Sequence, residues 1–211
     1  MNDWIQLSIF LIVSYLLGSI PTSVWIGKVF FGKDVRNYGS GNAGATNTVR
    51  VLGYSVGIPV LLFDIFKAWL PVFASMNWVI WNVTGDQLTY FHILIGLAAV
   101  IGHIYPMYSG FRGGKGVATL AGTALALFPL AFLSSLLTFV IVIAISKYVS
   151  LGSMAAAFAF PIFLVFVFNN QSLPLIILGI FASIFLVFTH RKNIKKLING
   201  TENKFGVKSK D

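Results

Sequence analysis

The feature that most constrains this chain is a succession of long apolar stretches separated by short polar ones. They run roughly over 5–30, 53–80, 88–108, 117–146, 149–168 and 173–189. Each reaches the roughly 17 to 25 residues that a helix needs to cross a hydrocarbon core. Only 10% of the residues are charged, against about a quarter in soluble domains. The mean hydropathy of +0.85 is correspondingly high. A single aqueous core could not hide that much apolar surface. The stretches lack period-2 alternation, which argues for helices and against a barrel. The expected fold class is all-α: a polytopic integral membrane helical bundle in one membrane-embedded domain, 1–211, with a basic tail over 190–211.

The charges give the bundle an orientation. Lys33, Arg36 and Arg50 follow the first stretch, and Arg112 and Lys115 follow the third. Arg191, Lys192, Lys195, Lys196, Lys204, Lys208 and Lys210 follow the last. By the positive-inside rule these three segments face the cytoplasm. The connections Asn82–Gln87 and Asn169–Ser172 contain no Lys or Arg, as outside loops should. An even number of crossings must then separate Lys115 from His190, so 117–146 crosses twice or not at all. Pro129 interrupts helical hydrogen bonding in that stretch. Two short spans are expected, for seven in all, with the N-terminus outside and the C-terminus cytoplasmic; six spans or a re-entrant hairpin is the alternative.

The net charge of +9 belongs to the ends of apolar spans and not to a soluble basic face, so no nucleic-acid partner is expected. With no cysteine, thiolate nucleophiles, zinc-thiolate sites and disulfides are excluded. Met1-Asn2-Asp3-Trp4 places an acid where a secretory signal has Lys or Arg, and the first span is expected to be retained.

Three polar clusters remain to carry chemistry. The first, from Arg36 to Arg50, contains Gly39, Ser40, Gly41, Asn42, Gly44, Thr46 and Asn47. Glycines let backbone N–H groups turn toward one point, and Arg50 can fork onto phosphate oxygens. Gly39, Gly41 and Gly44 match a dinucleotide fingerprint in form, but a membrane span precedes them and no parallel sheet is present. A tight interfacial turn is the alternative. The second cluster holds Gly102-His103-Ile104-Tyr105-Pro106 and then Gly113-Gly114-Lys115-Gly116. A lysine among glycines at a helix start is an anion site, although Gly116 stands where a Walker loop has Ser or Thr. The third runs from His190 through Asn193 to Glu202, the chain's one glutamate. His190 and Asn193 share a face if the last helix continues. Asp64 and Lys67, three apart inside the second span, read as an intramembrane ion pair. His92 and His103 read as packed or capping residues. By parity of crossings, the three clusters meet on one face of the membrane.

The run Gly39-Ser40-Gly41-Asn42-Ala43-Gly44-Ala45-Thr46-Asn47 closely resembles the first motif of the bacterial acyl-phosphate:glycerol-3-phosphate acyltransferases, the PlsY family. Gly102–Pro106 with Gly113-Gly114-Lys115-Gly116-Val117-Ala118-Thr119 is similar to its second motif, and His190–Lys204 to its third. The chain has Ala68 and Lys192 where similar sequences carry a glycine and a glutamate. The resemblance implies a seven-helix protein of the inner membrane that moves a fatty acyl group from acyl phosphate to glycerol 3-phosphate. It implies catalytic roles for Ser40, Arg50, Lys115, His190 and Asn193. Gly39, Gly41, Asn42, Gly44, Asn47, Gly113, Gly114, Gly116 and Glu202 are the expected substrate-binding residues. Membrane lipids complete the expected partners.

No metal or cofactor is expected, because no cluster has metal-ligand spacing. No carrier protein is expected either, since the polar loops are too short to dock one. The His-x-x-x-x-Asp dyad of many thioester-dependent acyltransferases is missing: Leu97, Tyr108 and Lys195 stand five residues after the three histidines. Either His190 or the donor phosphate takes the proton of the attacking hydroxyl. An anion transporter is the rival from another class, motivated by Asp64, Lys67 and the break at Pro129.

Overall fold

The structure, a computed structural model, describes residues 2–206. Lys208 and Lys210, included above in the basic tail, lie outside the described residues. Among the described residues there is no strand. The chain forms two compact units that divide between Leu127 and Phe128.

The first unit opens with α1 (Asp3–Gly18), whose free N–H at Trp4 is capped by the Asn2 side chain. Its Asp3 carboxylate accepts the Asn82 and Val83 amides at 3.0 and 2.9 Å, fastening the helix start to the Asn82 connection. Pro21 stops α1, and the chain resumes as α2 (Thr22–Phe31). The expected first span is thus a helix pair broken at Ser19–Pro21. A short helix, α3 (Ala45–Leu52), carries the end of the first glycine loop into α4 (Tyr54–Asn77). Then come α5 (Gly85–Ile104) and α6 (Val117–Leu127).

Small residues set how closely these helices approach, as in membrane bundles generally. A Cβ on Gly18 would overlap the Ala99 backbone of α5, and one on Gly102 the Tyr15 carbonyl of α1. Ser14 adds a buried hydrogen bond to the Ile95 carbonyl at 2.6 Å. Leu7, Val72, Phe91 and Ile95 form the apolar core between α1, α4 and α5. On the other face of α4, Gly122 of α6 sits against the Ile65 carbonyl.

The second unit contains α7 (Pro129–Ser146), α8 (Val149–Ile162), α9 (Leu173–Thr189) and α10 (Arg191–Ile198). Pro129 stands at the N-terminal end of α7, where its missing N–H costs nothing. Past Pro161 the last turn of α8 widens into a π-helical segment, Phe163–Val167. The Ser183 hydroxyl donates to the Ala157 carbonyl at 2.8 Å, joining α9 to α8.

Among the described residues, five helices or helix pairs are long and apolar enough to cross a bilayer, and a sixth if α9 and α10 count as one span. The expected break in 117–146 is present, at Phe128–Pro129. α6, with 11 residues, measures only about 16 Å. α9 and α10 meet at 62°, so the last helix does not continue straight through His190. Residue 190 becomes the cap of a new helix, with its carbonyl accepting the Ile194 N–H at 2.8 Å, so His190 and Asn193 belong to the first turn of α10 and not to a continued α9.

Candidate active site

In the first unit, two glycine loops are built into one structure. Asn47, 2% exposed, is the post around which the first loop winds. Its amide nitrogen donates to the carbonyls of Val35, Asn42 and Tyr38 at 2.8, 2.9 and 3.1 Å. Its Oδ1 accepts the Ser40 N–H at 2.8 Å. Gly41 N–H is taken by the Tyr38 carbonyl and Gly44 N–H by Asn42 Oδ1, at 3.0 and 2.9 Å. Three N–H groups expected to face a ligand are therefore turned inward. What the loop exposes is the Ser40 side chain and, from the last turn of α3, Arg50. Gly39, at φ +60°, packs so closely on the loop that a Cβ would overlap Asn47 Oδ1 and stand 3.2 Å from the Arg50 stem.

The second loop folds back on the end of α5. Gly113 and Gly114 donate to the carbonyls of Ile104 and His103, each at 3.1 Å. Their N–H groups are likewise engaged, in contrast to the expectation of a free anion nest. The N–H groups still available at the helix start are those of the first turn of α6, which no intrahelical carbonyl reaches. Gly116, at φ +82°, turns the chain into that helix, leaving Lys115 half-buried at its mouth.

Arg36, read from the sequence only as a topogenic charge, joins the two loops. Its guanidinium donates to the Ser109 and Arg112 carbonyls of the second loop at 2.8 and 3.1 Å. It also pairs with Asp34 of the first at 2.7 Å. Hydrogen bonds from Arg36 hold the Asp34 carboxyl well below the usual carboxylate range, outweighing its partial burial. Lys28 adds a second cation at 3.4 Å. Nothing in the sequence spacing announces that Arg36 reaches residues more than seventy positions away.

Beneath the loops, Asp64 and Lys67 form the expected ion pair, at 2.7 Å. His103 joins it, with Nδ1 3.6 Å from the same Asp64 oxygen.

The third cluster belongs to the second unit. His190, 4% exposed, has Nδ1 2.8 Å from the Leu186 carbonyl. A carbonyl only accepts, so Nδ1 carries the proton and a neutral ring keeps its lone pair on Nε2. Asn193 donates to Glu202 Oε1 at 2.7 Å, and Ser150 reaches the same oxygen at 3.2 Å. Glu202, beyond the end of α10, therefore orients Asn193 and links it to Ser150 of α8. Phe205 N–H bonds the Lys147 carbonyl at 2.7 Å, folding the tail onto the turn before α8. Ser150 was not singled out from the sequence, where it is one serine among many in an apolar helix. Among the described residues, no group of three His, Asp or Glu side chains converges as metal ligands.

Known proteins supply the comparison. Residues 8–200 match the family model described as glycerol-3-phosphate acyltransferase. A glycerol-3-phosphate acyltransferase of Fusobacterium nucleatum is 41% identical over 196 residues, covering 93% of this chain and 96% of that one. One from Listeria monocytogenes is 43% identical over 204 residues, covering 95% and 97%. The crystal structure of PlsY, an integral membrane glycerol 3-phosphate acyltransferase, in its glycerol 3-phosphate form is similar with a TM-score of 0.84 at 36% identity. Its lysophosphatidic acid form gives 0.79 at 33%, and each alignment covers 95% of this chain and 96% of the other. With nearly its whole length matched in sequence and in fold, this multi-pass membrane protein belongs to the glycerol-3-phosphate acyltransferase family.

Proposed function

We propose that the protein transfers a fatty acyl group from acyl phosphate to glycerol 3-phosphate, giving 1-acyl-glycerol 3-phosphate and inorganic phosphate. The observation that carries this reading is the tie made by Arg36 between the two glycine loops. On this reading Arg50 of the first loop and Lys115 of the second supply the cations of one site. The related PlsY structures, in glycerol 3-phosphate and lysophosphatidic acid forms, support the acceptor and the product.

Both substrates carry phosphate, and each needs cations. Arg50 and Lys115 hold these groups and stabilise charge as it moves from the acyl carbonyl to the departing phosphate. The glycerol hydroxyl oxygen bonds to the carbonyl carbon, the bond from that carbon to the phosphate oxygen breaks, and phosphate leaves with the electron pair. The hydroxyl proton goes either to His190 Nε2 or to the phosphate of the donor. Ser40 and Asn193 orient substrates, Gly39, Gly113 and Gly114 let the loops pack closely enough to present them, and Asn47 and Glu202 hold their neighbours in place.

The reaction needs no metal, cofactor or carrier protein, because an acyl phosphate is already activated and positioning supplies the rest. The charge distribution supports seven crossings of the bacterial cytoplasmic membrane by one domain, with the N-terminus outside and the chemistry on the cytoplasmic side.

Purified protein in lipid, given glycerol 3-phosphate and acyl phosphate, should release inorganic phosphate in step with lysophosphatidic acid. The matching acyl-coenzyme A should give little product. Equal turnover of the thioester would overturn the donor assignment and leave the family membership standing.

A further inference from the structure

Three ionisable side chains that this chemistry leaves unused lie buried under the two loops. Asp64 and Lys67 are each 2% exposed and His103 is 6% exposed. Asp64 sits ten residues inside α4, yet it is level with the ends of two neighbouring helices. Lys67 Nζ donates at 2.9 Å to the Ile20 carbonyl, at the break between α1 and α2. His103, in the last turn of α5, approaches Asp64 from the other side at 3.6 Å. With Ala43 of the first loop and Gly113 and Gly114 of the second, these residues line one small cleft.

Holding helices together does not by itself call for charge here. An ion pair buried this deeply costs several kcal/mol in desolvation, and apolar side chains of equal volume often stabilise as well. What the charged groups add is direction. Lys67 is aimed at one carbonyl, Asp64 at Lys67 and His103, and the His103 ring at the backbone of Gly114. That last approach is so close that a Cβ on Gly114 would overlap His103 Nε2. The Gly114 N–H also bonds the His103 carbonyl, and the next residue is Lys115.

We propose that Asp64, Lys67 and His103 are positioning residues for Lys115. The chain of contacts runs from the Ile20 carbonyl through Lys67, Asp64 and the His103 ring to Gly114. It fixes the second loop against α1 and α4 while the substrate phosphate pulls on Lys115. None of the three touches the reacting atoms. A shift of the His103 ring moves Gly114, and with it the ammonium that meets the phosphate.

This inference rests on the reading that Lys115 takes part in acyl transfer, and the experiment separates the two. The kcat/KM for glycerol 3-phosphate is measured for the native protein, His103→Gln, Lys115→Ala and the double variant, each with its thermal midpoint in detergent. His103→Gln should lower kcat/KM about 10-fold in the native background and less than about 2-fold in Lys115→Ala. Its thermal midpoint should stay within a few degrees of native. A purely structural role would lower activity by the same factor in both backgrounds. Equal factors on a slow Lys115→Ala therefore overturn the positioning role and leave Lys115 catalytic. Full turnover by Lys115→Ala overturns the role of Lys115 and the positioning proposal together. If His103→Gln does not accumulate, Asp64→Asn keeps the shape, weakens both contacts and enters the same cycle with the same criterion.

Discussion

Arg50 and Lys115 are cations whose surroundings differ, and the difference bears on what each can do. Arg50 is exposed at the end of α3, its stem against Gly39. Lys115 is half-buried at the mouth of α6, where neighbouring helix N–H groups reinforce its field. In the proposed reaction both meet charge that develops only as the acyl group leaves, so removing either would act on the transition state. Arg50→Ala and Lys115→Ala should each lower kcat/KM by at least about 100-fold with the fold intact. His92→Ala, on a buried ring in the interior of α5, should change turnover much less. Steady-state kinetics on purified variants check both. Turnover of Lys115→Ala near the native rate at saturating substrate would remove the charge-stabilising role. Asn47 teaches the complementary lesson: every polar atom of its side chain serves the loop's own backbone. Its contribution to any site is shape.

Among the elements, the second glycine loop is the most tightly specified. Gly113 packs where a Cβ would overlap the His103 carbonyl oxygen and stand 2.8 Å from the Ile104 carbonyl oxygen. Both are backbone atoms at a helix end and cannot swing aside as a side chain could. Gly113→Ala should therefore displace the loop and Lys115 with it, lowering turnover about 10-fold or more. Gly110, three residues earlier, has φ +69°, and a methyl group there would meet nothing within 4 Å. Gly110→Ala carries only the left-handed backbone penalty of about 1 to 2 kcal/mol. Near-native kinetics for Gly110→Ala beside a slow Gly113→Ala would locate the effect in the packing on α5. Equal losses would instead point to a general softness of the loop. The tie from Arg36 to Asp34 is indifferent to pH in the working range. The depressed Asp34 carboxyl stabilises the fold above the unfolded carboxylate value of about 4. That stability is lost only as pH falls through the lower folded value.

At the scale of the whole molecule, orientation decides which side of the membrane supplies the loops. A cytoplasmic site requires both glycine loops on one side and the Asn169–Ser172 connection on the other. The chain has no cysteine, so single cysteines can be introduced without background. Placed at exposed Ser40, Tyr108 and Thr201, they should react with an impermeant reagent only after the cytoplasmic side is opened. One at Gln171 should react in intact cells. Labelling of Tyr108→Cys from outside would reverse the orientation and detach the loops from a cytoplasmic supply of glycerol 3-phosphate.

The membrane class, the helical elements and the break at Pro129 were legible in the sequence, because bilayer burial imposes an apolar run of fixed length and proline removes a particular hydrogen bond. The candidate residues were legible as well, since glycines, cations and amides crowd into loops that are otherwise very short. Their division of labour was not. Asn47 and Glu202 look like ligands in a linear motif, and only the folded loops show them spent on Ser40 and the loop carbonyls, and on Asn193 and Ser150. Arg36 reads as one more topogenic charge until its guanidinium is found on the carbonyls of Ser109 and Arg112. His103 joins Asp64 in a bundle where Gly18 and Gly102 let α1 and α5 approach closely. Such partners are chosen by distances between backbones far apart in sequence. Periodicity and composition record which residues must be buried or charged, and only tertiary packing decides which of them meet.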